Sequence, residues 1–245
     1  MPKVEPPKLR AYRIMTDENV APHISNNILT LTLCKPNIRK VAKVGDYILA
    51  MKAKTNIPDK AYRRPFQAAY LFRIDEVVTM QAYEEWCKTH NESRICTEDN
   101  FSGDCQYFGD ELEYKPGLHG PGERKRNISG KMALISNKPH YAAWKSQSPK
   151  ILTTEELQSL GFEDDEHADI GRGGDSLFMT PENIASADRL ISEWNDSQIV
   201  VAPAGKLANA NANAEKIIKE FFQGGATRKR RRGGRQSRRA RKQGK

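Results

Sequence analysis

The sequence has no long apolar run and few cysteines. Nowhere in its 245 residues is there a stretch near the roughly 18 consecutive apolar residues of a membrane-spanning helix. The first residues, MPKVEPPKLR, lack the apolar core of a secretory signal. Four cysteines are too few for a disulfide framework, so we expect free thiols in a reducing compartment. An intracellular protein without a membrane partner is expected, in the nucleus or a virion if it comes from a eukaryote or a large virus.

Acidic residues are missing from the C-terminal tail, residues 228–245, which holds 11 Lys or Arg. The rest of the chain then has 29 cations against 31 acids, a formal charge of −2 despite the overall +9. Such a tail neutralises phosphates without sequence choice, and it also fits a nuclear-localisation signal. The residues expected to contact nucleic acid are Arg228, Lys229, Arg230, Arg231, Arg232, Arg235, Arg238, Arg239, Arg241 and Lys242.

Composition divides the chain into four segments. Residues 1–10 carry three prolines and are predicted to be a disordered leader, followed by one folded domain over 11–202. Residues 203–226 are predicted to be a low-complexity linker with a short helix. Residues 227–245, with almost nothing apolar to bury, are predicted to be a disordered tail.

Hydrophobic periodicity inside the domain predicts an α+β fold, a small mixed sheet or small barrel with about three helices, and the strand-turn-strand from VGDYILA to AYLFRIDEVV resembles a PUA-like barrel. Alternating apolar residues indicate strands at 11–15, 27–33, 45–53, 68–78, 130–136 and 198–205. Helices are predicted at 79–90, 153–162 and 180–194, each with a threonine available as the N-cap. The glycine-rich stretch 91–126 is too long for an ordinary connection and indicates a functional or wrapping loop.

A zinc site formed by cysteine and histidine is conceivable but disfavoured. Cys87 and His90 lie three residues apart on a predicted helix, and Cys96 and Cys105 follow. The gaps do not match those of familiar zinc motifs, and Cys87 also fits the apolar face of its helix. We therefore expect no bound metal and no other cofactor.

Cations and a cysteine stand between two predicted strands in LTLCKPNIRKVAKVGDYILA. Lys35 and Arg39 could grip a phosphate, or they could be ordinary surface cations on a connection. Gly45 and Asp46 suit a tight turn into the next strand, a structural role that competes with a binding role for Asp46. Cys34 could be a nucleophile if a base lowered its pKa, although the pattern favours a buried inert thiol.

Several segments match, in order, a pattern known from one family. They are YRIMTDENVAP, LTLCKPNIRKVAKVGDYILA, YLFRIDEVVTMQAYEEW, GDCQYF, LHG, ALISNKPHYAAW and GRGGDS. Their succession resembles the nucleotide modification associated domain family, uncharacterised α+β domains of bacteria, phages and large viruses. The segment CKPNIRKVAKVGDYI carries most of the specificity, and the later segments contribute through their order.

The resemblance implies a place in pathways that modify nucleotides or recognise modified nucleic acid. It implies site positions at Asp17, Cys34, Lys35, Arg39, Asp46, Asp104, His119 and Arg172. Two departures stand out: an expected Gly-Asp-Asn is GDC at 103–105, and an expected Gly-Arg-Gly-His is GRGGD at 171–175. The second removes a candidate general base beside Arg172, and both departures favour binding over catalysis.

We therefore expect a nucleic-acid-associated protein whose body binds a nucleotide or modified base and whose tail binds nucleic acid, with DNA favoured over RNA. The expected nucleotide-binding residues are Asp17, Lys35, Arg39, Asp46 and Arg172. One alternative is a nucleotide- or base-modifying enzyme with Cys34 as nucleophile and His119 or Asp104 as acid or base. Another is a structural genome-packaging or capsid-associated protein of viral origin. The sequence leaves the oligomeric state open.

Overall fold

The computed structural model describes residues 5–14, 17, 20–53, 66–97, 103–108, 113–114, 123–145, 148–163 and 175–194. The α-helices in these ranges are α1 (Pro36–Val41), α2 (Met80–His90), α3 (Arg124–Ile128), α4 (Thr154–Ser159) and α5 (Pro181–Ser192), with a 3-10 helix at Glu92–Arg94. The strands are β1 (Lys8–Ile14), β2 (His23–Ser25), β3 (Ile28–Leu31), β4 (Tyr47–Lys52), β5 (Phe66–Arg73), β6 (Glu76–Thr79), β7 (Tyr107–Phe108), β8 (Glu113–Tyr114), β9 (Met132–Asn137), β10 (Tyr141–Ala143), β11 (Lys150–Leu152) and β12 (Asp175–Phe178).

The larger sheet is mixed and has six strands. Its order is β10-β5-β4-β1-β12, and β11 also pairs with β5. β1 and β4 run parallel with Tyr12 opposite Ala50, whereas the other pairs in this sheet are antiparallel. A parallel pair needs a long crossover, which here contains β2, β3 and α1. The crossover carries the Cys34 segment to the end of β1.

A smaller antiparallel sheet has the order β2-β3-β9-β6. It packs against the larger sheet through an apolar cluster that includes Tyr12, Leu29, Leu31 and Leu134. A second cluster joins the larger sheet to α4 and α5, and a third lies under α2. In the described part of the chain, these two sheets therefore face each other with helices on both outer sides, and β7 and β8 form a separate two-stranded sheet. Among the described residues, no helix is both long and apolar enough to cross a membrane.

The predicted α+β class and mixed sheet are confirmed, whereas a closed barrel is not seen among the described strands. The three predicted helices correspond to α2, α4 and α5, and their N-caps are the threonines Thr79, Thr153 and Thr180. The short helices α1 and α3 were not predicted. β1 begins at Lys8, inside the segment that composition predicted as a leader.

Strand β3 and the residue that follows it are buried on both faces, whereas the sequence predicted burial on one face only. Leu29 and Leu31 face the larger sheet as the alternation requires, but Thr30 and Thr32 on the other side are also fully buried. Their hydroxyls donate to Asp104, so the polar face of the alternation meets a protein carboxylate and not solvent. The predicted strand at 198–205, the linker and the tail lie outside the described residues.

Candidate functional site

Tyr12 lies on β1 in the apolar space between the two sheets. Its side chain is 1% exposed, and its hydroxyl has no hydrogen-bond partner among the described residues. Burial, together with the nearby Cys34 and Asp17, raises the pKa of Tyr12 well above its ordinary value, so the hydroxyl keeps its proton. Buried polar groups without a partner are rare in folded proteins, and each costs about 1–3 kcal/mol. The Tyr12 hydroxyl is thus the feature of this region that packing alone does not explain.

Asp17 follows β1 and lies beside the same tyrosine. Its Oδ1 accepts a hydrogen bond of 2.5 Å from the hydroxyl of Tyr70, which lies on β5. Burial and the Asp17 carboxylate raise the pKa of Tyr70, so this hydroxyl remains a donor. Because Tyr70 is anchored in a central strand, it fixes the carboxylate next to Tyr12.

Lys35 lies over the ring of Tyr12. Its Nζ lies 4.5 Å from the centre of the Tyr12 ring and donates a 2.8 Å hydrogen bond to the backbone oxygen of Arg13. A cation over the ring face is attracted by the negative face of the aromatic system. The hydrogen bond to Arg13 and the cation–π contact with Tyr12 therefore help to hold the ammonium at the carboxyl end of β1.

The backbone at Cys34 and Lys35 adopts an unusual conformation. Both residues have positive φ, 57° and 39°, a region that costs non-glycine residues about 1–3 kcal/mol each. The Cys34 N–H donates to Oδ1 of Asn127 at 2.9 Å, and its carbonyl accepts from Nε of Arg39 at 2.9 Å. These contacts hold the strained turn in one shape, with the two side chains presented at Tyr12.

The Cys34 thiol is half-buried and protonated. Burial, with a smaller contribution from Glu123, raises its pKa to about 11, although Arg126, Lys35 and Arg39 act in the opposite direction. A thiol is a nucleophile as the thiolate, which is scarce near pH 7 at such a pKa. The position therefore favours a contact role for Cys34. We name Tyr12, Asp17, Cys34, Lys35 and Tyr70 the Tyr12 cluster.

Arg39 lies inside the protein, fully buried, and not at the surface of the connection. Its guanidinium donates to the carbonyl of Cys34, to that of Met132 at 2.8 Å, and to that of Asn127. Gly130 makes room for it, because a Cβ at that position would lie 2.5 Å from the guanidinium. Arg39 thus ties α1 to β9 and α3 and supports the turn at Cys34.

Asp46 is buried at the opposite end of β1. It accepts hydrogen bonds from the N–H groups of Lys8 and Lys43 and pairs with Arg10, whose Nη2 lies 2.8 Å from Oδ2. The turn role expected from Gly45 and Asp46 is confirmed, since Gly45 has a φ of 87°. The strand from Lys8 to Tyr12 spans about 13 Å. Asp46 therefore does not meet the Tyr12 cluster.

Asp104 belongs to a fully buried network on the outer side of the smaller sheet. It accepts from Thr30, from Thr32 and from Tyr83 at 2.9 Å, and pairs with Arg94 at 3.4 Å. Arg94 in turn donates to backbone carbonyls of the β2–β3 hairpin. This network joins the 103–106 segment to α2 and β3. It is separate from the Tyr12 cluster.

The remaining predicted site residues, His119, Arg172 and the basic residues of the tail, lie outside the described residues. Their roles stay predictions.

The four cysteines are free thiols, as expected. Cys87, Cys96 and Cys105 are buried around the Asp104 network, and burial raises the pKa of Cys96. A hydrogen bond with Cys87 is the largest cause of the raised pKa of Cys105. Among the described residues, no group of histidine, cysteine, aspartate and glutamate has the arrangement of a metal site.

Three contributors to the site region were missed from the sequence. Tyr12 belongs to the segment YRIMTDENVAP, so its place in that pattern was a usable signal. Tyr70 opens the segment YLFRIDEVVTMQAYEEW, so its place in the pattern was a usable signal as well, whereas Asn127 lies in a polar stretch that gave none. The contacts that bring these two residues to the site are long-range, between Tyr70 and Asp17 and between Asn127 and Cys34.

Two facing sheets, helices on both outer sides and a polar cluster at the end of β1 define an α+β domain with a candidate ligand site. The sequence profile described as nucleotide modification associated domain 2 matches residues 6–208, and the chain belongs to this family. The resemblance noted from the sequence is thereby confirmed. No curated protein and no solved structure gives a significant match to the chain.

Proposed function

We propose that the folded body binds a nucleotide or modified base at the Tyr12 cluster, and that the basic tail holds nucleic acid without sequence choice. The main support for this proposal is the buried Tyr12 hydroxyl, which lacks a hydrogen-bond partner among the described residues. Asp17, Cys34 and Lys35 lie near Tyr12. Those three residues occupy positions that the family pattern contains. Membership of a family associated with nucleotide modification supports this class of ligand.

Binding accounts for the site better than covalent catalysis. The Cys34 thiol is protonated near neutral pH, and Asp104 is shielded from solvent by its own hydrogen-bond partners. Arg39 and Asp46 have their hydrogen-bonding groups on backbone and neighbouring side chains. We therefore assign Arg39, Asp46 and Asp104 to the scaffold, and Asp17, Lys35 and Cys34 to the ligand.

A substitution at Lys35 tests the body's part of the proposal. Lys35→Met keeps the aliphatic stem but removes the ammonium, and Lys40→Met makes the same change at an exposed position of α1. We expect Lys35→Met to weaken nucleoside binding by about tenfold or more, measured by calorimetry on the full chain, and Lys40→Met to leave it unchanged. Equal affinity in a folded Lys35→Met protein would remove Lys35 from the site.

The proposal that the tail binds nucleic acid rests on its density of positive charge. With 11 cations and no acid in residues 228–245, its contribution to binding is expected to come from counterion release. A body with a formal charge of −2 adds no general attraction for phosphates. The two activities are therefore separable: the tail supplies salt-sensitive affinity for the polymer, and the body supplies the choice of base.

A further inference from the structure

We propose that the Tyr12 cluster selects a base bearing an exocyclic amino group, with Asp17 accepting the amino N–H and the Tyr12 hydroxyl bonding to the adjacent ring nitrogen or carbonyl. This rests on the proposed function, because it specifies the ligand of the same site.

The first argument is that the carboxylate is an acceptor only. A carboxylate oxygen accepts hydrogen bonds, and Oδ1 of Asp17 accepts one from the Tyr70 hydroxyl. A ligand that adds to this carboxylate must bring N–H or O–H groups. Cytosine and adenine present the N–H groups of an amino group on their hydrogen-bonding edge, whereas uracil and thymine present a carbonyl oxygen at the same place and a single ring N–H beside it.

The second argument concerns charge. Asp17 repels a phosphate placed beside Tyr12, and the Lys35 ammonium is directed to the Arg13 carbonyl and the Tyr12 ring. The two opposite charges give the cluster little net attraction for an anion. A neutral group with both donors and acceptors suits this environment better than phosphate does.

The third argument is the Tyr12 hydroxyl itself. It stays protonated, so it can both donate and accept, and the Lys35 ammonium lies over its ring face. Asp17, Cys34 and Lys35 are each partly exposed and lie near Tyr12. A base bound among them would satisfy a hydroxyl that otherwise lacks a described partner.

The test compares 2′-deoxycytidine with 2′-deoxyuridine, which differ in the amino or carbonyl group at C4 and in the proton on the adjacent ring nitrogen N3. Calorimetric titration of the full-length protein should give about tenfold or greater preference for deoxycytidine. Asp17→Asn keeps an acceptor for Tyr70 but adds a donor, so the preference should fall to near one or reverse. Tyr12→Phe should weaken both nucleosides while leaving the melting temperature unchanged or higher.

A matched control exists elsewhere in the fold. Asp188 on α5 accepts a hydrogen bond of 2.7 Å from the Tyr47 hydroxyl, the same pairing as Asp17 with Tyr70. Asp188→Asn should leave the preference unchanged. If the unmodified chain binds both nucleosides equally, or if Asp17→Asn leaves the ratio as it was, the amino-group inference is wrong while nucleoside binding stands. If neither nucleoside binds, the proposed function of the body fails together with it.

Discussion

At the residue scale, the turn at Cys34 and Lys35 places two ordinary residues where glycine is usual. Their positive φ values cost conformational energy, and the contacts of Asn127, Arg39 and the Arg13 carbonyl offset that cost. Glycines at these positions would be easier to accommodate but would bring no side chain to Tyr12. We infer that the thiol and the ammonium, and not the turn alone, explain the residues found there.

The reactivity of Cys34 should depend steeply on pH. Because burial raises its pKa to about 11, the thiolate fraction near pH 8 should be about a hundredfold below that of an ordinary cysteine. Alkylation rates, followed by mass spectrometry of the Cys34 peptide, should still be rising above pH 9. A Cys34→Ser chain supplies the background from the three buried thiols. A rate that levels off near pH 8 would contradict the described environment.

The same pKa shift affects stability in a known direction. The folded state holds the Cys34 proton more tightly than the unfolded state does, so this contribution is complete below the unfolded pKa and is lost as pH rises towards 11. The Cys34→Ser variant should therefore lose less stability than the unmodified chain between about pH 9 and pH 11.

At the scale of elements, Asp46 joins β1 to the turn before β4. It binds the first residue of β1, the turn before β4 and the guanidinium of Arg10. Removing one member of a buried ion pair leaves the other charge without its partner, which costs about 3–5 kcal/mol. We expect Asp46→Ala to lower the free energy of unfolding by that amount in urea denaturation.

Glu5 is the matched control for this substitution. It is an exposed carboxylate near the same turn, and it pairs with Lys43 at the surface. Glu5→Ala should leave the free energy of unfolding unchanged within error, because solvent screens exposed pairs. A loss for Asp46→Ala as small as that for Glu5→Ala would show that the buried network does not hold these elements together.

Elements fixed by local chemistry could be predicted, and those fixed by distant partners could not. The helices that begin after Thr79, Thr153 and Thr180 could be predicted from the sequence. Each threonine caps its helix by accepting a hydrogen bond from a backbone N–H three residues further on. Helix α1 has six residues, too few to be stable alone, and Arg39 holds it to a carbonyl of Met132, 93 positions away. No local pattern encodes that contact.

The candidate site shows the same division. The sequence singled out Asp17, Cys34 and Lys35, which the structure brings to one tyrosine. It also grouped Arg39, Asp46 and Asp104 with them. Residue type alone does not separate a cation at the surface from a cation bonded to buried carbonyls. Burial and hydrogen-bond partners are what separate the residues that we propose as scaffold from those that we propose to contact the ligand.

At the scale of the whole molecule, the concentration of positive charge in the tail predicts that the tail binds DNA and that the body does not contribute to this binding. In a full-length variant with the 11 Lys and Arg of residues 228–245 changed to Gln, DNA affinity should fall and its dependence on salt should flatten. Fluorescence anisotropy at several salt concentrations measures both quantities. Nucleoside binding by the body should be unchanged in the same variant. A salt dependence that survives the substitutions would place the phosphate contacts on the body.

The most direct test of the central claim is a crystal structure of the full chain with bound deoxycytidine. The account predicts the base at the carboxyl end of β1, with its amino group within hydrogen-bonding distance of Asp17 and a ring atom within reach of the Tyr12 hydroxyl. A nucleoside bound elsewhere on the chain, with the Tyr12 hydroxyl untouched, would contradict it.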